Sequence, residues 1–278
     1  DFDKAIELLR EEGLAKAAKK ADRVAAEGVV CATVCGDCGV GAIIEVNSET
    51  DFVAKNELFR EFVKNLLKTI IANKPAEVEA LMSCKYAGED CTVDEKLKEM
   101  IFKIGEKLSI RRFAVTEGIT STYIHGIGSI GVIVRFDTDV ADKEGFAQFA
   151  KNIALQVGAY TTPYINRDQV PASVLEAETA IVRAQIENDP ALSQKPDAIK
   201  EKMAVGRLNK FYENNCLLDM EYFLEDSMKV GQYIEKTAKE LGGKIVVAEM
   251  YRFEKGEGIQ KKEEDFAAEI EKLAGGNK

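Results

Sequence analysis

The residue types in this chain that could do chemistry are few: six cysteines, one histidine, and an acid beside an aromatic ring in a connection. In CATVCGDCG, Cys31, Cys35 and Cys38 lie close together, and Cys35 and Cys38 form a C-x-x-C. Cys84 and Cys91 could complete a four-sulfur zinc site with that pair, although a zinc signature ordinarily shows two closely spaced pairs. The plainer reading keeps the cysteines reduced, as small hydrophobes around a tight Gly36-Asp37 turn between two strands. His125 opens HGIGSIGV, which contains G-x-G-x-x-G, the pattern that cradles a dinucleotide's phosphates. That pattern needs a strand before it, a helix after it and an acid about 20 residues on. Here the strand-like VIVRF follows, so the glycines read as a hairpin turn. With His125 alone and neither H-E-x-x-H nor G-x-S-x-G, hydrolase machinery is missing. The third stretch, NSETDFVAKNELF, sets Asp51 and Phe52 between a strand-like AIIEV and the amphipathic LFREFVKNLLKTII.

The elements that position these residues come from an internal repeat. Shifted by 90 positions, the segment from Asp22 lies without a gap on the segment from Arg112: Glu27 meets Glu117, Gly28 meets Gly118, Gly36 meets Gly126, Gly41 meets Gly131 and Ile43 meets Ile133. Downstream, Phe59 pairs with Phe146, Phe62 with Phe149 and Asn65 with Asn152. The β-branched runs GAIIEV and GVIVRF predict strands. Phe59, Phe62, Val63, Leu66 and Ile70 share one face at helical spacing. The duplicated unit is therefore strand, tight turn, strand, helix. Asn47 to Phe59 spans twelve positions where Asp137 to Phe146 spans nine, so the first copy carries three additional residues, within SETDFVAK. A scaffold that closes without them in one copy marks them as material for binding. Asn56 is an N-cap candidate that would leave Phe52 in the loop; a wheel drawn back from Phe59 puts it in the core instead. The residues leave both readings open.

Composition bounds the rest. The 278 residues are 46% hydrophobic and 31% charged, enough for one to three globular domains. No apolar run approaches the ~20 residues that span a bilayer, and DFDKAIELLREEG lacks signal-peptide regions, so a cytosolic setting is expected. A net charge of −10 and a pI near 5.0 offer no field for nucleic acid, and the cluster Lys16, Lys19, Lys20, Arg23 is too small to reverse that. The chain opens inside a helical pattern without a start methionine, which suggests a preceding piece. Residues 171–188 and 196–211 read as a helix pair, each opened by proline. KIVVAEMYRF from Lys244 reads as a strand that returns to the second unit, and DFAAEIEKLA as a C-terminal helix.

EVNSETDFVAKNELF resembles the signature of the elongation factor Ts family, exchange factors for the GTPase elongation factor Tu. LAKAAKKADRVAAEG, KIGEKLSIRRF, YIHG and FEKGEGIQKKEEDFAAEI are similar to further family segments in the same order. The resemblance implies an α+β fold of two duplicated subdomains with an inserted helical hairpin and flanking helices. The expected divisions are 1–26, an N-terminal remnant and linker; 27–115, the first subdomain; 116–170 with 229–258, the second; 171–228, the insertion; and 259–278, a C-terminal helical module. It implies that Thr50, Asp51, Phe52 and Val53 intrude near the partner's nucleotide and magnesium, that Ile104 and Gly105 make a second contact, and that His125 touches a helix of the GTPase. It further implies promotion of GDP release without bond-making chemistry or cofactor. The inserted pair can mediate self-association, giving a homodimer and a 2:2 complex, with no direct contact to nucleic acid or membrane. A module that binds the same GTPase without speeding release is the rival reading.

Overall fold

The computed structural model describes residues 20–260, so the expected C-terminal helix and Lys16 and Lys19 lie outside the described residues. The fold is α+β, with two three-stranded antiparallel sheets. The first joins β1 (Glu27–Cys35), β2 (Val40–Ser48) and β3 (Leu108–Glu117) in that order. The second joins β4 (Ile119–His125), β5 (Ile130–Thr138) and β6 (Ile245–Glu254).

Between β2 and β3 run α1 (Asp51–Lys55), α2 (Glu57–Asn73), α3 (Val78–Met82) and α4 (Val93–Ile104). Between β5 and β6 run α5 (Phe146–Ala159), α6 (Ala172–Asn188), α7 (Asp197–Asn215) and α8 (Val230–Leu241). Pro171 and Pro196 occupy the cap positions immediately before α6 and α7, one place earlier than the first helical residue.

The repeat is structural. β2 and β5 occupy equivalent positions, and the pairing of each with its third strand slips at the same place, between Glu45 and Val46 in one and Arg135 and Phe136 in the other. Gly28 and Gly118 both hold the left-handed side of φ, at +115° and +116°. At Gly28 this is required twice over, since a Cβ would meet the Val46 carbonyl oxygen at 2.1 Å. The unit has one strand more than its sequence pattern of two strands and a helix. The extra strand in the first copy, β3, carries LSIRRFAVTE, whose alternation is interrupted by Arg111 and Arg112 at the bulge.

Both faces of each sheet are covered, so the strands alternate between two cores rather than between core and water. Val29, Ala42, Ile44 and Val46 pack under α2 and α4 with Phe59, Phe62, Leu66 and Met100. Val132, Val134 and Phe136 pack with Phe146, Phe149 and Ile153 of α5 and Ile234 of α8. The opposite faces meet each other through Val30, Ile43, Ile133 and Phe253. The approach is close: a Cβ on Gly131 would lie 2.4 Å from Val30 Cγ1. The result is helices, sheet, sheet, helices. A smaller cluster of Val182, Ile186 and Ala204 joins α6 to α7.

α2 starts where Asn56 accepts hydrogen bonds from the Leu58 and Phe59 amides at 2.9 and 3.4 Å, as the cap reading expected. Because Asn56 is itself extended, the wheel from Phe59 loses its phase there. What precedes it is not a bare loop, however: residues 51–55 form the separate turn of helix α1. The G-x-G-x-x-G stretch lies in the β4–β5 hairpin, with Gly126 and Gly128 at φ +56° and +107°.

The reading that keeps all the cysteines reduced is corrected at Cys35 and Cys38, and the alternative four-sulfur set is not brought together. Cys35 and Cys38 are joined to each other in the β1–β2 turn, while Cys84 and Cys91 pack separately against the first helical core. Among the described residues no group of three or more His, Cys, Asp or Glu is placed to hold a metal. Three of the other thiols are poor nucleophiles: burial pushes Cys31 and Cys91 up, the nearby Arg60 and Lys64 only partly opposing this at Cys31, and takes Cys216 to about 11.

Candidate functional site

One end of the sandwich gathers the expected site residues. β2 ends at Ser48, and α1 follows three residues later. Ser48 pairs with Leu108 at the start of β3, directly after the Ile104-Gly105 end of α4. The β4–β5 turn that follows His125 reaches the same end from the other sheet: the Val30 amide donates to the Gly128 carbonyl at 2.8 Å. Val30 pairs with Glu45, and three strand residues, about 10 Å, separate Glu45 from Ser48.

α1 divides its residues between anchor and display. Val53 and Ala54 are buried in the first core, whereas Phe52 is 77% exposed. Asp51 is also exposed and lies 3.7 Å from Lys55 one turn on. A ring this large left in water forgoes roughly 1.5–3 kcal/mol of burial, which a fold-only reading does not explain. Val53, which the resemblance sets beside the intruding residues, is buried and holds the helix down.

The anchor continues through two carboxylates. Glu106 accepts from the Thr50 amide at 2.9 Å and from the Thr50 hydroxyl at 2.6 Å. Glu49 accepts from the Lys107 amide at 2.6 Å and pairs with Arg23 at 3.2 Å. Gly105 ends α4 at φ +81°, a conformation that disfavours any side chain, and its carbonyl accepts from Lys20. Ile104 is half-buried against the first core. Sequence reasoning missed Glu49, Glu106 and Lys107. Glu106 adjoins Ile104-Gly105, but a pairing 56 residues long leaves no local periodicity.

His125 is exposed at the end of β4, with Nδ1 2.8 Å from the Tyr123 hydroxyl. Its carbonyl accepts from the Gly128 and Ser129 amides, which close the turn at 3.1 and 3.2 Å.

Behind this end, Glu45 is fully buried and ties the two sheets together. It accepts from Arg111 Nη1 at 3.0 Å, Arg112 Nε at 2.7 Å, Asn47 Nδ2 at 3.0 Å and the Gly256 amide at 2.8 Å. Burial would raise its carboxyl, but the four donors outweigh burial and hold it below the ordinary carboxylate range. Gly256 follows β6 and sits so close that a Cβ would meet the Ala26 carbonyl oxygen at 2.1 Å.

The arrangement holds no nucleophile paired with a base and no metal cluster among the described residues. It presents an exposed ring and acid on a braced mount, which suits contact with another macromolecule. No helix of the described residues is long and apolar enough to cross a membrane.

Comparison with known proteins agrees. Residues 49–257, about three quarters of the chain, match the sequence profile of the family described as Elongation factor TS. The chain is 41% identical over 273 residues to Elongation factor Ts of Syntrophotalea carbinolica, covering 97% of this chain and 88% of that protein. It is 44% identical over 276 residues to Elongation factor Ts of Clostridium botulinum strain 657, covering 98% and 88%, and 43% identical to that of Clostridium kluyveri, covering 98% and 89%. The profile match takes in the braced helix, β3 and the whole second sheet, and the relatives align over nearly all of the chain at 41% and 44% identity, so the chain belongs to the elongation factor Ts family, a family of translation elongation factors.

Proposed function

We propose that this chain binds the GDP form of elongation factor Tu in the cytoplasm and speeds GDP release by disturbing the magnesium and phosphate site. The observation that carries the reading is Phe52, 77% exposed beside the buried Val53 and Ala54. A nucleotide on such a GTPase is held by backbone amides at a helix N-terminus, by a lysine and by magnesium. Magnesium demands near-ideal octahedral geometry, so a ring wedged beside its loops loosens the nucleotide through small displacements. Asp51 accompanies the ring, while Ile104, Gly105 and His125 supply docking contacts at the same end. The coupling is reciprocal: a factor that weakens nucleotide binding is itself released when nucleotide returns. No bond is made or broken, so neither nucleophile nor cofactor is required, and no direct nucleic-acid contact is part of the reading. Self-association, giving a 2:2 complex, is assigned to the α6–α7 pair, where Ile181, Ile199 and Val205 stand exposed.

The test is release of fluorescent GDP from elongation factor Tu by stopped flow. The unaltered chain should accelerate release, and Phe52→Ala should lose about 30-fold of that acceleration, the scale of a central aromatic anchor. Binding of nucleotide-free partner without any acceleration would select the passive interaction module instead.

A further inference from the structure

The KIGEKLSIRRF segment contains a carboxylate that the proposed function leaves without a task. Glu106 does not face solvent as a free charge. Both its oxygens are engaged by one residue, Thr50, through the amide at 2.9 Å and the hydroxyl at 2.6 Å. Thr50 is the cap residue of α1, extended at φ −123° and ψ 158°, and its own side chain makes no capping bond to that helix. A five-residue helix cannot hold itself together, since nucleation costs more than one turn of hydrogen bonds returns. Its orientation must come from outside. From below it comes from Val53 and Ala54 in the core; at its entry it comes from Glu106. The neighbouring Glu49 takes the Lys107 amide at 2.6 Å, crossing the same gap in the opposite sense. The two segments are thus laced by side chains of adjacent acids, each reaching the other's backbone.

We infer that Glu106 is the positioning residue for the Phe52 helix: through Thr50 it sets the angle at which the ring is presented, and it ties that angle to the Ile104-Gly105 turn. The inference rests on the proposed exchange function. Its physical content is that docking at Ile104-Gly105 and intrusion by Phe52 are one rigid event. A ring on a loosely held turn of helix would swing away from the partner's metal-binding loops, and the energy of docking would not be transmitted to them.

Glu106→Ala should therefore leave affinity for nucleotide-free partner within about twofold while GDP release slows roughly tenfold, a split that general destabilisation does not produce. Thr50→Val, which removes the hydroxyl bond and keeps the amide bond, should reproduce part of the slowing. The double variant should be no slower than Glu106→Ala alone, because that change already breaks the whole linkage. In the Phe52→Ala background, Glu106→Ala should have no further effect. Amide hydrogen exchange reads the linkage directly: protection of the Thr50 amide should fall in Glu106→Ala while amides of the β2–β3 ladder keep theirs. If Phe52→Ala slows release but Glu106→Ala does not, or if the Glu106 and Phe52 effects multiply, the inference is overturned and the exchange function stands. If the unaltered chain fails to accelerate release, both fall.

Discussion

The two copies of the repeat differ least where they build sheets and most where they meet the connection to the first helix. Strand positions, the bulge and the left-handed glycine coincide. After β2 the chain makes α1, whereas after β5 residues 139–145 form turns without a helix. The β1–β2 turn ends in a Cys35–Cys38 disulfide where the other copy has His125. The copies even invert their charges at the bulge: Glu45 pairs with Arg112, while Arg135, 90 residues on, pairs with Glu249 at 2.8 Å. The shared features are those a sheet packed on a helix requires, and the differences collect at exposed ends or at the seam between sheets. Duplication supplied the frame, and divergence made the copies unequal in what they display.

The largest effect expected from this comparison is on stability. Phe59 and Phe146 are repeat counterparts, both buried under their own sheets, so Phe59→Ala and Phe146→Ala should each cost ~3–5 kcal/mol. Phe52→Ala, seven positions before Phe59, should cost less than about 0.5 kcal/mol because the ring is exposed. Urea unfolding of the three variants ranks them. A stability loss in Phe52→Ala as large as in Phe59→Ala would return the ring to the core and remove the contrast between copies.

Next in size is the inverted ion pair. Glu45 is wholly buried, with Arg111 and Arg112 about one-third exposed. Glu45→Gln removes the charge and replaces one acceptor oxygen with an NH2 that faces the donors on that side, and should cost about 3 kcal/mol. Glu249→Gln leaves a more exposed pair and should cost less than about 1 kcal/mol. The pH dependence has a definite sign. The folded carboxyl of Glu45 lies below its unfolded value, so its contribution is complete above about pH 4.3. It is lost as pH falls through the depressed folded value. The stability gap between the unaltered chain and Glu45→Gln should accordingly hold from neutral pH down to about pH 5 and narrow in stronger acid. A gap that stays constant into strong acid would mean the network owes its strength to shape rather than charge.

The repeat was legible because glycines and β-branched runs recur at fixed spacing, and those residues are dictated by backbone geometry within each unit. Phe52 was half legible: its spacing from Phe59 fits one continuous helix, the Asn56 cap candidate interrupts that helix, and the extended backbone at Asn56 decides for the interruption. Glu45 looked like one polar residue in an apolar strand, because its partners lie 66, 67 and 211 residues away. The Thr50–Glu106 linkage was hidden for the same reason. Local patterns report what a residue does for its own element, and these carboxylates serve contacts between elements. At the cysteines the turn was legible and the bond was not: Cys35 and Cys38 close the β1–β2 turn as read from their spacing, but as a disulfide rather than as free thiols, while Cys84 and Cys91 pack against the first helical core.

The smallest expected effect is at the turn tips, where the copies carry His125 and Cys35 at equivalent places. The two tips lie at opposite ends of the sandwich: the turn after His125 bonds to Val30, and the turn after Cys35 bonds to Gly118 at the start of β4. Only the His125 tip shares an end with Phe52. His125→Ala should therefore weaken partner affinity by about fivefold, the loss of one hydrogen bond of ~1 kcal/mol. Tyr123→Phe should have a smaller effect in the same direction, because the Tyr123 hydroxyl fixes the ring without itself being the contact. Changing Cys35 and Cys38 together to serine should leave affinity unchanged, since that turn is about 17 Å of strand away from Val30. Isothermal titration with nucleotide-free partner measures all three. Equal losses at the two tips would mean that the partner embraces both ends of the sandwich, and that the two copies share the docking surface proposed above for one end.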